Sequence, residues 1–442
     1  MHNDKESPFT LTLLDGDLSL PVVQFSGREA LNQPYRFDID VIGLAPAMHL
    51  DHLLQQPVFF NLANGLGVHG IIHSADCEHR GLHRVDYRLV LVPWLQNLDR
   101  QRSRRVFHQL DVPAILRRLL TENGLPEDSY RFELPGGRYP ARPLCIQFDE
   151  SDLAFLHRLC EEEGIHYHFE HRRDGHVLVL ADDSLSFPQE PLLLPFHSDM
   201  PEREDGPLIS ELFQRHTSPP IDTHNAPPPL DRDRLSRRIL ERLRCRHGQL
   251  QGRSNQSALR SGGIVQVSEH PLPNFNDQWL LTEVRHQGQQ PSILEHSHCD
   301  RTRCYSNQFT AMPWSTVFRP ALTQARPGIP GFQTARVLGP AGEPARLDDQ
   351  GRIQVRLWPT AQTDSEASDG FWLPMVLAAP DQRIDPSRLP VAGTDVLVSF
   401  LDSDPDRPVL YAAATSPPAP RPAPQPKVDD RLLFDWLLNR KG

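Results

Sequence analysis

The 442-residue sequence predicts a mainly β chain with a few helices, an α+β protein built from barrel-like units. Short segments that alternate apolar and polar residues recur along most of the chain, bounded by Pro, Gly, Asn and Asp. Helical spacing is limited to a few stretches. Pro is abundant, at 43 residues, and clusters near 218–229 and 417–426, where it marks loops or linkers.

From Phe9 the chain opens with alternating Thr and Leu, and 22–27 and 35–41 continue with period two. Residues 50–54 suit one or two helical turns. Segments 58–62, 67–77 and 85–92 complete a meander, and closure into a barrel would remove its open edges. Residues 111–124 read as a helix: Asp111 caps, Pro113 sits in the first turn, Ile115, Leu116, Leu119 and Leu120 form a stripe, and Gly124 ends it.

The most legible unit is 139–180. Residues 145–148 alternate like a half-buried strand, then Asp149, Ser151 and Asp152 offer capping oxygens. Leu153, Leu156, Leu159 and Cys160 share a helical stripe, and Gly164 is the natural stop. Ile165, Tyr167 and Phe169 alternate with His166, His168 and Glu170. Asp174-Gly175 then turns the chain back into 177–180 as a hairpin.

The run RYPxRxxCxQFxESDxxFxxRLxEEEGIxYxFEH within this unit resembles the signature of VgrG proteins, the spikes of type VI secretion systems, which are similar to contractile phage-tail hubs. The resemblance covers about 7–415 and implies two phage-hub-type barrel units with inserted helices over 7–320 and a small OB-fold spike-base domain over 333–415. Within the first region, SGGIVQVSEHPLPNFNDQWLLTEVRHQG resembles the family's second-barrel segment. Five predicted strands, within 334–340, 349–358 (turn then strand), 371–378, 394–401 and 409–414, suit the OB-fold independently. Between Trp372 and Gly393 the chain departs from the family's Gln-Pro-Trp loop, so contacts made by that loop do not carry over. Residues 231–246 place Arg, Leu and Ile at helix-like spacing, with strand pairing left open.

The resemblance also implies a homotrimer stacked on a hexameric tube protein. Longer family members continue into a β-helical needle that this sequence does not contain. Instead 416–427 is a Pro-rich spacer, and 428–442 forms a short apolar helix through Leu432, Leu433, Phe434, Trp436, Leu437 and Leu438. So short and apolar a helix is marginal alone in water. It is expected to dock a tip protein, an adaptor or an effector, or to pack against its own copies.

Net charge is −11 and the sequence pI about 6.0, which gives no basic footprint for nucleic acid. No apolar run is long enough to span a bilayer, so stable membrane insertion is not expected. The start lacks a Sec-type signal pattern. Six scattered cysteines form no disulfide framework, which fits a chain made in the cytoplasm, and the resemblance implies export by the contractile apparatus.

No catalytic, cofactor-binding or metal-binding residues are assigned. His296, His298, Cys299 and Cys304 have zinc-ligand identities without a paired spacing, so strand and loop roles are the expectation. His157, His166, His168, His171 and His176 group on the hairpin and its neighbouring helix, and His166 with His168 is expected on a solvated or intersubunit face. Asp402, Asp404 and Asp406 lack the Gly and Glu of a calcium loop; Asp406-Arg407 suits a local ion pair. Glu161, Glu162 and Glu163 crowd a helix C-terminus, where like charge is unfavourable, so arginine from elsewhere should meet them. P-loop, zincin and nucleophile-elbow motifs are missing from the sequence. The expectation is a structural spike or hub. A phage-tail baseplate hub is the alternative, with an effector enzyme carried on a spike scaffold behind it.

Overall fold

The computed structural model describes residues 9–16, 18–44, 46–63, 65–80, 83–198, 206–216, 232–246, 248–290, 304–359, 370–376 and 389–411. The chain divides into two compact units, Met1–Pro327 and Gly328–Gly442. As the sequence predicts, the structure is mainly β.

The first unit begins with β1 (Thr10–Leu13), β2 (Leu18–Ala30), β3 (Gln33–Leu44), the one-turn helix α1 (Leu50–Leu53), β4 (Pro57–Ala63), β5 (Leu66–Arg80) and β6 (Arg84–Val92). Their order is β1-β4-β5-β6-β3-β2, and β1 also pairs β2, so six antiparallel strands close on themselves. Closure leaves no free edge within the ring. Inside, Phe25 meets Phe9 and Phe60 edge-on at 5.1 and 4.7 Å, and Leu11, Phe37, Ile39, Val58 and Leu62 fill the remainder.

An insert follows: β7 (Arg102–Phe107), α2 (Val112–Glu122), β8 (Tyr130–Glu133), β9 (Cys145–Ser151), α3 (Asp152–Glu163), β10 (His166–His171) and β11 (His176–Ala181). β7 pairs β9, and β10-β11-β8 form a small sheet. Asp111 caps α2 by accepting from the Ala114 N–H at 2.8 Å. The buried stripes Ile115, Leu116, Leu119, Leu120 and Leu153, Leu156, Leu159 pack with Tyr167, Leu178 and Leu180 into one core.

Next come β12 (Leu192–Pro195), β13 (Ile209–Arg215), α4 (Arg232–Arg246), β14 (Gln249–Ser254), β15 (Ile264–Ser268), β16 (Gln278–Gln289) and β17 (Cys304–Pro313). The stretch that left helix and strand open is thus a helix. The strands order as β12-β15-β16-β17-β14-β13, and a parallel bridge between Phe196 and Ile209 brings the two ends together. This is a second six-stranded barrel, with Leu250, Val265, Leu281, Val284 and Phe309 inside.

The two barrels are not separate. Residues Gln278–Leu280 of β16 pair β15, while Glu283–Gln289 pair Gln24–Ala30 of β2, after a bulge between Leu281 and Glu283. One twelve-stranded sheet therefore runs through both. Close approach at the joint needs Gly27, where a Cβ would lie 2.1 Å from the Phe37 ring.

The second unit is a closed five-stranded barrel of β18 (Phe332–Val337), β19 (Arg352–Leu357), β20 (Phe371–Val376), β21 (Asp395–Phe400) and β22 (Pro408–Tyr411), ordered β18-β19-β20-β22-β21. Val337, Ile353, Val355, Leu373, Val398 and Leu410 alternate inward as its core. An OB-like barrel is what five short strands here imply.

Candidate functional site

The most connected polar site lies at the C-terminus of α3. Ser151 starts this helix by accepting from the Ala154 N–H at 3.2 Å. Gly164 ends it in the left-handed region at φ +72°, with Ile165 N–H donating to the Cys160 carbonyl at 2.9 Å and Gly164 N–H to that of Glu161 at 3.3 Å. That is a Schellman stop. It leaves Glu161, Glu162 and Glu163 in the last turn, at the negative end of the helix dipole.

Arginines from three other segments neutralise them. Arg142 donates to Glu162 at 2.8 Å and to Glu163 at 2.7 Å. Arg326 donates to Glu162 at 3.0 Å, and Arg238 on α4 to Glu163 at 2.9 Å. Arg158, on α3 itself, reaches Glu162 at 3.4 Å and bridges to Glu150 at 2.5 Å. Guanidinium groups also donate to carbonyls of the helix end: Arg238 to that of Glu162 at 3.0 Å, Arg319 to that of Gly164 at 3.3 Å, and Arg242 to that of Glu161. The basic partner expected for the acid triple is therefore present within one chain.

Each glutamate is tuned differently. Burial would raise Glu162, but Arg142, Arg158 and Arg326 outweigh it and hold the carboxyl at about 2. Burial likewise opposes ionisation of Glu163, and Arg142 and Arg238 bring it below the usual range. Glu161 moves up because burial dominates. Its carboxylate accepts from the backbone N–H groups of Thr323 and Gln324, at 2.7 and 2.8 Å, and from the Thr323 hydroxyl at 2.5 Å. The node thereby fastens 319–326, the stretch leading out of the first unit, onto α3.

A second polar cluster lies at the barrel joint. Glu29 is buried on β2, 3.6 Å from Arg260 and 3.2 Å from His286 Nε2 on β16. His286 Nδ1 contacts the Tyr305 hydroxyl at 2.7 Å. Burial would raise the Glu29 carboxyl, yet Arg260 and His286 hold it at about 2.

The hairpin histidines differ from the sequence reading. His166 and His168 do share the side of β10 opposite Tyr167, but both are buried, not solvated. Phe187 stacks on His166 at 4.7 Å and lies 5.1 Å from His168, and Phe318 meets His166 edge-on at 5.8 Å. The strand is covered on both faces inside a single chain, with imidazole rings packing as flat aromatic surfaces. His157 bonds the Tyr167 hydroxyl at 2.7 Å. Arg407 pairs with Asp402 at 3.0 Å, across the turn.

Cys304 is an exposed free thiol at the start of β17; His296, His298 and Cys299 lie outside the described residues. So do Leu432, Leu433, Phe434, Trp436, Leu437 and Leu438. Among the described residues no three His, Cys, Asp or Glu side chains are placed to hold a metal, and no helix is long and apolar enough to cross a membrane.

The sequence profile of the phage tail baseplate hub (GPD) family matches residues 28–218 and 211–292. The chain belongs to the phage tail baseplate hub family. Among hub relatives, it is 37% identical over 449 residues to type VI secretion system spike protein VgrG5 of Pseudomonas aeruginosa, covering 92% of this chain and 57% of that one. Identity to VgrG4b of the same organism is 35% over 482 residues, covering 99% and 60%. The chain thus spans about three-fifths of the length of these curated relatives. The resemblance to VgrG spikes read from 138–171 is borne out. Among solved structures, the E. coli c3393 protein, a type VI secretion component similar to T4 bacteriophage tail proteins gp27 and gp5, superimposes with a TM-score of 0.71 at 26% identity, over 88% of this chain and 96% of that one.

Proposed function

We propose that this hub-family chain is a non-catalytic structural subunit of a type VI secretion spike, working as a homotrimer on a hexameric tube protein. The observation that carries the reading is the pair of six-stranded barrels joined through β2 and β16. Three copies bring six similar barrels around one axis, which suits a sixfold partner. The α3 node supports a mechanical role, since buried, multiply bonded ion pairs resist rearrangement of the segments they tie.

In this reading 7–320 is the hub region, 333–415 the spike-base domain and 416–427 a semi-rigid spacer. Leu432, Leu433, Phe434, Trp436, Leu437 and Leu438 form the face that docks a tip protein, adaptor or effector. The chain is made in the cytoplasm and leaves with the apparatus. Light scattering of the full chain tests the assembly: the expected mass is about three times 50.2 kDa. A monomer at every concentration, with and without the tube protein, overturns it. The family's description makes a phage-tail hub the second reading, and co-purification with a secretion tube or with phage tail proteins separates the two.

A further inference from the structure

Three histidines fill the contact between the first barrel and the hairpin of the insert. His69, on β5, and His176, on β11, are buried, with their Nδ1 atoms 2.9 Å apart. The backbone N–H of Trp94 donates to His176 Nε2 at 3.2 Å. A backbone N–H can only donate, so His176 Nε2 carries a lone pair and the ring's proton sits on Nδ1. That proton is then given to His69 Nδ1, which leaves the proton of His69 on Nε2. One tautomer of each neutral ring satisfies the geometry.

An added proton has no acceptor in this arrangement. On His69 it would point at the Nδ1–H of His176, and on His176 it would point at the Trp94 N–H. His171 is paired with His176 across the hairpin, and the Tyr35 ring stands edge-on to His171 at 4.9 Å. Tyr35 itself donates to the His69 carbonyl at 2.5 Å.

We propose that His69, His171 and His176 form an acid-sensitive latch between the first barrel and the insert, closed while the rings are neutral and opened when they take up protons. The latch stands on this chain's own geometry, independent of the spike assignment. The charged groups facing it are Asp174 in the hairpin turn, Glu29 on β2 and Arg260 before β15. Glu29 already faces Arg260 and His286, and Asp174 only partly offsets the burial of His69. Burial holds His69 and His171 near 4 and His176 well below its usual range.

Open rings titrate near their free value of about 6.5 while closed rings bind protons only at lower pH, so the closed form is favoured above that value and loses ground below it. Each histidine contributes up to about tenfold in the opening equilibrium per pH unit. Glu29 and Glu162, held at about 2, act in the same direction only below the carboxylate range, so the histidine window comes first.

Hydrogen-exchange mass spectrometry of the full chain, corrected for intrinsic rates, reads the latch. Peptides of β5, β10 and β11 should lose protection together between about pH 6.5 and about pH 4.5, with the opening constant rising about a hundredfold or more per pH unit, while β21 stays protected. A slope of less than one proton, or loss in one strand alone, overturns the latch. His69→Asn keeps an acceptor near Nδ1 but takes no proton, so its slope should fall by about tenfold per pH unit; an unchanged slope also overturns it. If His69→Asn is unprotected even at about pH 8, His176→Gln replaces it and the wild-type slope still decides. His52→Asn, at an exposed site on α1, should leave the slope as it is.

Discussion

Arg142 and Glu162 meet at 2.8 Å with side-chain exposures of only 8% and 3%, and their contact organises the end of α3. Neither charge could be buried alone, and Glu162 holds Arg158 and Arg326 in place as well. Glu162→Gln keeps shape and removes a charge shared by three guanidinium groups, of which Arg142 keeps Glu163 and Arg158 keeps Glu150. The expected loss is about 3–5 kcal/mol of stability, read as a lower urea midpoint with an unchanged slope. Arg326→Ala should cost less, because that side chain is partly solvated at 18%.

The penalty for Glu162→Gln should also depend on pH. Wild-type Glu162 is held at about 2, against about 4.5 in the unfolded chain, so the unfolded state binds the proton first as pH falls. Its contribution is complete above the unfolded value and fades as pH drops through the folded one. Urea unfolding of both chains at a series of pH values should show the gap shrinking below about pH 4.5, by up to about 1.4 kcal/mol per pH unit. A gap that stays constant would place the stabilisation in packing instead.

What the sequence disclosed depended on how local each signal was. Ser151, the stripe through Leu153, Leu156 and Leu159, and Gly164 lie within one helix, so α3 could be read almost to the residue. The acid triple announced a basic partner but could not name Arg142, Arg238 or Arg326, which come from distant parts of the chain. The alternation around His166 and His168 showed that β10 has two unlike sides. It did not show that Phe187 and Phe318 cover the second one. Nor could periodicity reveal that Arg28 on β2 would face Glu283 on β16, because strand pairing between barrels leaves each strand's own pattern unchanged.

That barrel joint gives a packing prediction. A Cβ at Gly27 would stand 2.1 Å from Phe37 Cδ1, and one at Gly288 would stand 2.3 Å from Phe25 Cε1. The obstructing atoms are core rings, not flexible side-chain ends. Gly27→Ala should therefore cost about 1–3 kcal/mol by overpacking, seen as a lower unfolding midpoint. Gly16→Ala, where nothing lies within 4 Å, is the control and should stay within about 0.5 kcal/mol.

The apolar composition of 428–442 motivates a truncation experiment. Six large apolar residues in so short a segment, preceded by a Pro-rich spacer, favour burial against another surface. Deleting 428–442 should leave the trimer mass of the remaining chain intact and abolish capture of the tip protein, adaptor or effector in a pull-down. Unchanged capture would refute the docking role of Phe434 and Trp436. Loss of the trimer itself would instead make the segment an assembly element whose copies pack on one another. Scattering and pull-down measured on the same preparation distinguish the two, because only self-packing ties the apolar segment to the mass.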